Sequence, residues 1–561
     1  MKKVIGIGKQ SFEDIIQSNC FYIDKTSLIK EWWESEDDIT LITRPRRFGK
    51  TLNMDMLKCF SNQYRDQGQL FEGLNIWKEE KYQQLQGTYP VIYLSFADVK
   101  QTNYKDAVLK IKKIITDVYQ QYIELAGWEG LTEVQVRQFQ SVDPYMDDVT
   151  AQCALKDLSG YLYRYYEKKV IILLDEFDTP MQEAYIHGYW DEFTAFIRSL
   201  FNAAFKTNPY LNRAMMTGIT RVSKESIFSD LNNLKVVTTT SEEYATCFGF
   251  TQEEVFTALE EFQLAGQKDA VKQWYDGFTF GSQRDIYNPW SITNYLKEKK
   301  LLAYWASTSS NDLINRLIQT SKPDVKEFME ELLNEREIVL NFDEQIVFDQ
   351  LETKENAIWS LMVASGYLKI DKIEYRGILH VPWYHLKITN LETLGMFSEM
   401  FVGWFQNTRS NYNAFIKAML CGNIKEMNAY MNEVALATFS SFDTGSHPSG
   451  RTQPERFYHG FVLGLLVELR DQYEVRSNRE SGYGRYDVML IPRQKNQLAF
   501  VLEFKVYDAQ EELKLEDTVQ SALVQIEEKD YDTELIERGI SKSKIRHYGF
   551  AFEGKRVLIG E

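Results

Sequence analysis

Asp38-Ile39-Thr40-Leu41-Ile42-Thr43-Arg44-Pro45-Arg46-Arg47-Phe48-Gly49-Lys50-Thr51 runs from an apolar stretch through a basic turn into what reads as a helix. The segment from Asp38 to Thr43 predicts a buried strand, and the segment from Lys50 to about Phe60 predicts a helix. The start of a helix presents unsatisfied N–H groups and the positive end of its dipole, which favour an anion. In a phosphate-binding loop of this kind Lys50 reaches the β- and γ-phosphates of a nucleotide and the Thr51 hydroxyl ligates Mg²⁺. Gly49 and the guanidinium groups of Arg44, Arg46 and Arg47 complete the expected phosphate contacts. One departure is plain: the residue five positions before Gly49, ordinarily glycine, is Arg44. Taken alone, the segment also reads as a basic turn before an amphipathic helix.

A second segment shifts the balance. Val170-Ile171-Ile172-Leu173-Leu174 is a continuous apolar run that ends in Asp175-Glu176. Such a run marks a strand buried on both faces, and its end lies at the carboxyl edge of a parallel sheet, where ligands bind. Asp175 is expected to hold Mg²⁺ through its water shell and Glu176 to orient the attacking water. Thr217, closing a further strand over Ala214 to Gly218, is placed to sense the γ-phosphate. Arg221 is placed to stabilise transition-state charge in its own subunit or a neighbouring one. The competing readings are a solvated strand end and a surface ion pair.

The rest of the N-terminal half alternates strand with helix. Pro90 to Phe96 predicts a strand, and Tyr104 to about Ala126 a long helix. The alternation implies a parallel sheet covered by helices on both sides. From Ser241 the pattern turns helical, with a turn at Trp274-Tyr275-Asp276-Gly277-Phe278. After Asn288-Pro289-Trp290-Ser291 helical patterns dominate to about Tyr430, except for a β-rich patch from Gly366 to Ile388. Asp443 to Pro454 is a linker rich in Gly, Ser, Thr and Pro. Beyond it the expected order is helix, strand, strand, helix, strand.

Two apolar strands in that last part flank a short polar loop: Tyr486 to Pro492, then Leu498 to Val506. A hairpin centred on Lys495 sets Asp487 opposite Glu503, within about 5.5 Å between Cα atoms. Lys505 then points to the same face as Glu503. Two carboxylates brought together at the end of apolar strands are costly unless a cation binds. Mg²⁺ takes one or two carboxylates with phosphate and water, and a neighbouring lysine helps activate water or stabilises the transition state. Glu455 with His459 on a preceding helix, and Gln525 with Lys529 on a following one, share faces at helical spacing. The plainer alternative is a surface pair, Glu503 with Lys505, and an incidental Asp487.

Composition narrows the partners. With a formal charge of −17 over 561 residues, the chain as a whole repels nucleic acid, so any such contact is local or gated. The five cysteines and six histidines are scattered, without CxxC or HExxH, and read as reduced thiols in a cytoplasmic protein. No apolar run is long enough to span a bilayer and no signal core follows the basic start, so neither membrane insertion nor secretion is expected.

The N-terminal part resembles the AAA-ATPase-like domain of bacterial and archaeal proteins that carry a PD-(D/E)XK nuclease-superfamily domain. The likeness rests on Phe21-Tyr22-Ile23-Asp24-Lys25-Thr26, the Arg44 to Thr51 loop, Leu174-Asp175-Glu176-Phe177-Asp178, Thr217 to Arg221 with Asn232-Asn233, Trp274 to Gly277, and Tyr287 to Ser291. In that family arginine commonly replaces the first loop glycine, so Arg44 is no sign of decay. The C-terminal part resembles the nuclease domain through Gly484-Arg485-Tyr486-Asp487, Glu503-Phe504-Lys505, Ala522 to Ile526 and Tyr531.

The resemblance implies an α/β architecture in four parts. A P-loop NTPase core with a parallel sheet covers 1–240, a helical lid 241–300, a mostly helical middle region 301–440, and an α/β restriction-endonuclease-like domain 441–561. It implies ATP with Mg²⁺ at the first site and Mg²⁺ or Mn²⁺ at the second. Asp487 and Glu503 hold the metal there, Lys505 assists, Glu455 completes the metal shell, and Gln525 positions the water or Lys505. The expected function is an ATP-regulated nuclease with DNA favoured as substrate, a homo-oligomer among the possible assemblies, and a setting in phage defence or mobile-element biology. The alternative is a nucleotide switch whose C-terminal domain binds nucleic acid or a partner without cutting.

Overall fold

Strands made of β-branched and leucine residues with no polar interruption are driven to the middle of a sheet, where both faces are covered. β1 (Ile39–Thr43) and β3 (Val170–Asp175) are of this kind, and every residue in both is buried. The structure is a computed structural model and describes residues 3–62, 67–219, 228, 231–305, 314, 317–318, 323–333, 335–343, 356–404, 412–438, 462, 466, 469, 472–481, 484–494, 497–508, 512–554 and 556–561. The chain forms two compact units: Met1–Ile314 with Val339–Thr393, and Asn315–Ile338 with Leu394–Glu561.

In the first unit, β2 (Val91–Ser95), β4 (Leu211–Gly218) and β5 (Leu234–Val237) join β1 and β3 in a wholly parallel sheet of order β2-β3-β4-β1-β5. β4 lies between β1 and β3, with Thr43 opposite Gly218 and Leu174 opposite Met216. Three carboxyl ends therefore stand side by side: the basic loop after β1, Asp175 on β3, and Thr217 on β4. Edge strand β5 was not expected. It has four residues, three of them half-buried, so it carries little apolar signal. β4 starts at Leu211, earlier than the expected Ala214, because Asn212 and Arg213 interrupt the apolar run.

The segment 241–300, expected to be a helical lid and called the lid below, contains helices Gln252–Glu261, Lys268–Tyr275 and Pro289–Glu298. It also holds a small antiparallel sheet of β6 (Phe250–Thr251), β7 (Phe278–Phe280) and β8 (Gln283–Tyr287), in the order β6-β8-β7. The β-rich patch forms a hairpin of β10 (Leu368–Arg376) and β11 (Val381–Ile388), with β9 (Ile338–Leu340) beside β11.

One lid carboxyl makes stability depend on pH. Burial, and then its hydrogen bond and repulsion with Asp285, push Asp276 up to about 6. The folded state thus favours the protonated form. The stability this supplies is complete below the ordinary aspartate value of about 3.9 and is lost as pH rises through the folded value. Melting curves from pH 4 to 8 should show wild type falling behind Asp276→Asn as pH rises, with the two converging in acid. Parallel curves would contradict this assignment.

The second unit is built on a sheet of order β12-β13-β14-β15-β16: β12 (Tyr473–Ser481), β13 (Gly484–Pro492), β14 (Ala499–Val506), β15 (Ile545–Glu553) and β16 (Arg556–Gly560). β12, β13 and β14 form an antiparallel meander, β14 runs parallel to β15, and β16 turns back on β15. Helix Leu515–Glu528 makes the crossover that a parallel pair requires. The strand order after the linker thus includes two strands not expected, β12 and β16. β12 alternates polar with apolar residues along Tyr473-Glu474-Val475-Arg476-Ser477 and lacks a continuous apolar run.

Both faces of this sheet are covered. Phe500, Leu502 and Phe504 pack with Phe415, Met419, Met427 and Met431, and Ala499 and Val501 pack with Ile526, Tyr531 and Leu535. Helix Ile424–Thr438 also seals the edge of the sheet. Asn428 donates to the Ile559 carbonyl at 2.9 Å and accepts the Ile559 N–H at 2.8 Å. One turn on, Asn432 does the same with Val557, at 2.6 and 3.0 Å. Four backbone groups of an edge strand, which would otherwise template strand addition, are thereby satisfied. Asn428→Leu and Asn432→Leu should each cost about 1–3 kcal/mol in urea unfolding, since each strands a donor and an acceptor. No loss in either variant would mean that the amides are dispensable.

Candidate functional site

The loop after β1 is shaped by two left-handed residues, Arg47 (φ 64°) and Gly49 (φ 81°). Nothing lies within 4 Å of where a Cβ on Gly49 would sit, so it is the backbone angle, not space, that calls for glycine there. Gly49 precedes helix Lys50–Ser61 and brings no side-chain cap, so the first N–H groups face the loop. Lys50 is 5% exposed, and its Nζ donates to the carbonyls of Arg44 (3.0 Å) and Pro45 (2.9 Å). Burial lowers its pKa, with Glu176, Asp178 and Asp175 opposing the shift.

Asp175 is the node of the site. Its Oδ2 accepts the Thr51 hydroxyl at 2.7 Å and its Oδ1 the Thr217 hydroxyl at 2.5 Å. Burial raises this carboxyl while the two hydroxyls lower it. The same Thr217 oxygen accepts the N–H of Glu176, which sits in the left-handed region at φ 50°. Asp178 Oδ2 takes the Ile219 N–H at 2.9 Å and so holds the end of β4. Lys50, Thr51, Glu176, Arg46 and Arg47 line one cavity of about 510 Å³, a size that suits a small organic ligand. A hydroxyl bonded to a carboxylate beside a buried ammonium is a donor set that fits Mg²⁺ with a polyphosphate.

Arg44 is elsewhere. Its guanidinium is fully buried and does not line the cavity. It donates to the carbonyls of Thr43 (3.0 Å) and Thr238 (2.6 Å), approaches those of Glu243 and Tyr244 at 3.4 Å, and stacks 4.4 Å over Phe280. The expected phosphate contact is therefore corrected: a guanidinium with several backbone acceptors behind the loop turns inward, leaving Arg46 and Arg47 on the cavity. Arg46 reaches Gln182 at 3.3 Å, and Arg47 stacks 4.4 Å over Trp290 of the lid. Arg44→Ala should cost about 2–3 kcal/mol by orphaning buried carbonyls, whereas Arg47→Ala should weaken ATP binding at an unchanged melting temperature. Thermal melts with and without ATP separate the two. Equal behaviour would refute the division of labour.

Other residues gather here without having been expected. Phe21, Tyr22, Lys25, Lys100, Trp290 and Thr293 line the same cavity. Lys25 is buried and ties the core to the lid through Glu254 (2.7 Å) and the Thr246 carbonyl (2.9 Å). For Phe21, Tyr22, Lys25 and Trp290 the signal was present in the Phe21 to Thr26 and Tyr287 to Ser291 segments, which carried the family likeness without an assigned role. Arg221 lies outside the described residues.

In the second unit the β13–β14 ladder pairs Val488 with Leu502, Met489 with Val501 and Leu490 with Phe500, the register of a hairpin centred on Lys495, a residue outside the described ones. The ladder pairing stops one step short of Asp487 and Glu503. There Asp487 Oδ2 accepts the Phe504 N–H at 2.8 Å, so this carboxylate sits against the next strand beside Glu503. Glu503 is 3% exposed and Lys505 is half-buried. Gln525, on helix Leu515–Glu528, donates to Glu503 Oε1 and reaches the Tyr531 hydroxyl at 3.2 Å. Gln525 thus orients Glu503, where it was expected to hold water or Lys505. Glu455 and His459 lie outside the described residues, as does the linker before them.

Among the described residues no group of three or more His, Cys, Asp or Glu forms a metal cage. The donor set at hand is two carboxylates, one of them buried, next to a lysine. That suits a hard cation which keeps water and takes phosphate oxygens. Among the described residues no helix is long and apolar enough to cross a membrane.

Residues 6–228 match the family model described as Predicted AAA-ATPase, and residues 453–561 match that of the PD-(D/E)XK nuclease superfamily. The chain is also similar to an uncharacterized protein in the vnfD 5' region of Azotobacter chroococcum mcd 1. The two are 24% identical over 564 positions, covering 96% of this chain and 95% of that protein.

Proposed function

We propose that this chain, which joins a predicted AAA-ATPase to a PD-(D/E)XK nuclease-superfamily domain, is an ATP-regulated, Mg²⁺-dependent nuclease, with DNA the favoured substrate. The observation that carries the cleavage reading is Glu503: a carboxylate only 3% exposed, oriented by Gln525, beside Asp487 and followed by Lys505. Such a carboxylate is expensive to bury unless a cation shares it.

At the first site Lys50 and the N–H groups opening its helix bind the β- and γ-phosphates. Thr51 and Asp175 are the residues that would hold Mg²⁺. Glu176 orients the attacking water, Thr217 fixes Asp175 and reads the γ-phosphate side, and Arg46 and Arg47 add positive charge. Arg221 remains the candidate for stabilising charge in cis or in trans. At the second site Asp487 and Glu503 would hold Mg²⁺ or Mn²⁺, with Glu455 the candidate third group. The ion supplies an acidified water and charge neutralisation at the phosphate. Lys505 stabilises the anionic transition state. The net charge of −17 favours a gated contact over constitutive binding of nucleic acid. A cytoplasmic setting, and a role in phage defence or mobile-element biology, accord with a nuclease kept under nucleotide control.

The test is cleavage of plasmid, linear and single-stranded DNA and of RNA, with Mg²⁺ or Mn²⁺, each with and without ATP. Wild type is run beside Lys505→Ala. Cutting that responds to ATP and vanishes in the variant supports the proposal. Nucleic-acid binding that responds to ATP without turnover favours the switch instead.

A further inference from the structure

The first unit has a second cavity, of about 490 Å³, beside the phosphate loop. Beside the Thr239 to Glu242 segment, most of its wall comes from two places the sequence left without a role. One is the β7–β8 hairpin of the lid, and the other is strand β10 with the turn before it. The two cavities share no lining residue, yet the second touches the loop directly, since Pro45 is part of its wall.

The contacts at that wall are close. Phe280 lies under the Arg44 guanidinium at 4.4 Å, and Phe278 meets Phe48 edge-on at 4.8 Å. A Cβ on Gly366, whose φ is 82°, would fall 2.9 Å from Pro45 Cγ. The turn before β10 therefore approaches the loop as nearly as a glycine allows. A displacement of Phe278, Phe280 or Gly366 moves Arg44, Pro45 or Phe48 with it, because packed interiors do not absorb such shifts.

The lining has a definite chemistry. The β10–β11 ladder slips by one residue at Asp371: Ile370 faces Leu386, while Lys372 faces His385. A bulge of this kind re-aims side chains, and here the residues from Leu368 to Ile373 all reach the cavity. The acids in the wall are engaged. Asp371 pairs with Lys387 at 2.7 Å, and Glu242 accepts the Ser282 N–H at 3.0 Å and its hydroxyl at 2.6 Å. Lys369 and Lys372 enter no ion pair among the described residues. The floor is apolar, with Phe278, Phe280 and Leu368.

We propose that this cavity is an effector site for a small organic anion, a molecule with a flat apolar body and one phosphate, sulfonate or carboxylate group. Lys369 and Lys372 take the anionic group and the phenylalanine floor takes the body. Occupancy is reported to the nucleotide site through Phe280 on Arg44 and Gly366 on Pro45. The coupling, though not the binding, rests on the nucleotide reading of the first site. Reciprocity follows: ATP must change the effector's affinity by the factor by which the effector changes that of ATP.

The experiment uses the full chain and anilinonaphthalene sulfonate, a flat apolar molecule with one sulfonate, as the probe. Its fluorescence reports binding, and a fluorescent ATP analogue reads the first site separately. Wild type should show one saturable probe site. Lys369→Glu and Lys372→Glu should each weaken it by about tenfold. Thr279→Trp, which fills the cavity from β7, should remove it. Saturating probe should shift ATP-analogue affinity by about fivefold in wild type and not in Thr279→Trp. Probe binding that none of the three substitutions alters overturns the site. Probe binding that leaves ATP affinity unmoved overturns the coupling. If Thr279→Trp fails to fold, the two charge reversals on β10 still decide the site. An ATP analogue that does not bind at all refutes the nucleotide reading instead, and leaves the probe titration standing.

Discussion

Lys50→Ala is expected to weaken ATP binding on the order of 10²–10³-fold while leaving the nucleotide-free protein no less stable. The two effects come from one fact. Lys50 is 5% exposed, and among the described residues its ammonium is satisfied by two loop carbonyls. Burial lowers its pKa, against three nearby carboxylates. A base whose folded pKa lies below its unfolded one costs stability at every pH under the unfolded value, about 10.4 for lysine, and neutral pH is within that range. Removing the ammonium relieves that cost. With ATP present the balance reverses, because each charge-assisted bond to a phosphate contributes about 1.5–3 kcal/mol. Thermal shift is the direct measurement. The ATP-induced rise in melting temperature should disappear in the variant, and the ATP-free melting temperature should not fall. A retained rise would remove Lys50 from the nucleotide site.

The second large effect separates two neighbours on one strand. Glu503→Gln should abolish cleavage, by about 10³-fold or more, together with any stabilisation by Mg²⁺ or Mn²⁺. Lys505→Ala should lower cleavage about as far and leave the metal-induced stabilisation in place. The difference follows from their surroundings. Glu503 is almost fully buried and takes the Gln525 amide, so it serves as a fixed anionic ligand, and its neutral isostere keeps the shape without the charge. Lys505 is half-buried two residues on and is assigned to the transition state alone. Melting temperature against metal concentration, read beside cleavage, tests both. Metal-induced stabilisation that survives Glu503→Gln would place the cation elsewhere.

Much of this was legible in the chain. The apolar runs ending at Thr43 and Asp175 have no other stable place than a covered parallel sheet, so the nucleotide-side acids fell where they were expected. The β13–β14 register was legible because a short polar loop between two apolar strands leaves little freedom. What was hidden is direction and edge. A loop arginine in sequence does not declare whether it faces a phosphate or a cluster of backbone carbonyls, and Arg44 takes the carbonyls. Strands β5 and β12 lie at sheet edges and are half polar, so their runs resemble turns. The three strands of the lid are two to five residues long, below the length at which alternation can be read. Gln525 was placed on the helix after the hairpin, but its partner, Glu503, depends on a side-chain conformation that spacing does not specify.

The asparagine pair on helix Ile424–Thr438 has a consequence for strand order in the second unit. Four residues of helix rise about 6.0 Å, and two residues of strand about 6.6–6.8 Å. The two repeats are nearly commensurate, so Asn428 and Asn432 meet Ile559 and Val557 together in one alignment. A displacement of β16 by less than two residues would unpair both amides and all four strand groups together, because outward N–H and C=O groups recur only at every second residue. The helix therefore acts as a gauge. It fixes β16 along its own axis, and through β15 it helps hold β14, the strand that carries Glu503 and Lys505, in the register their chemistry requires.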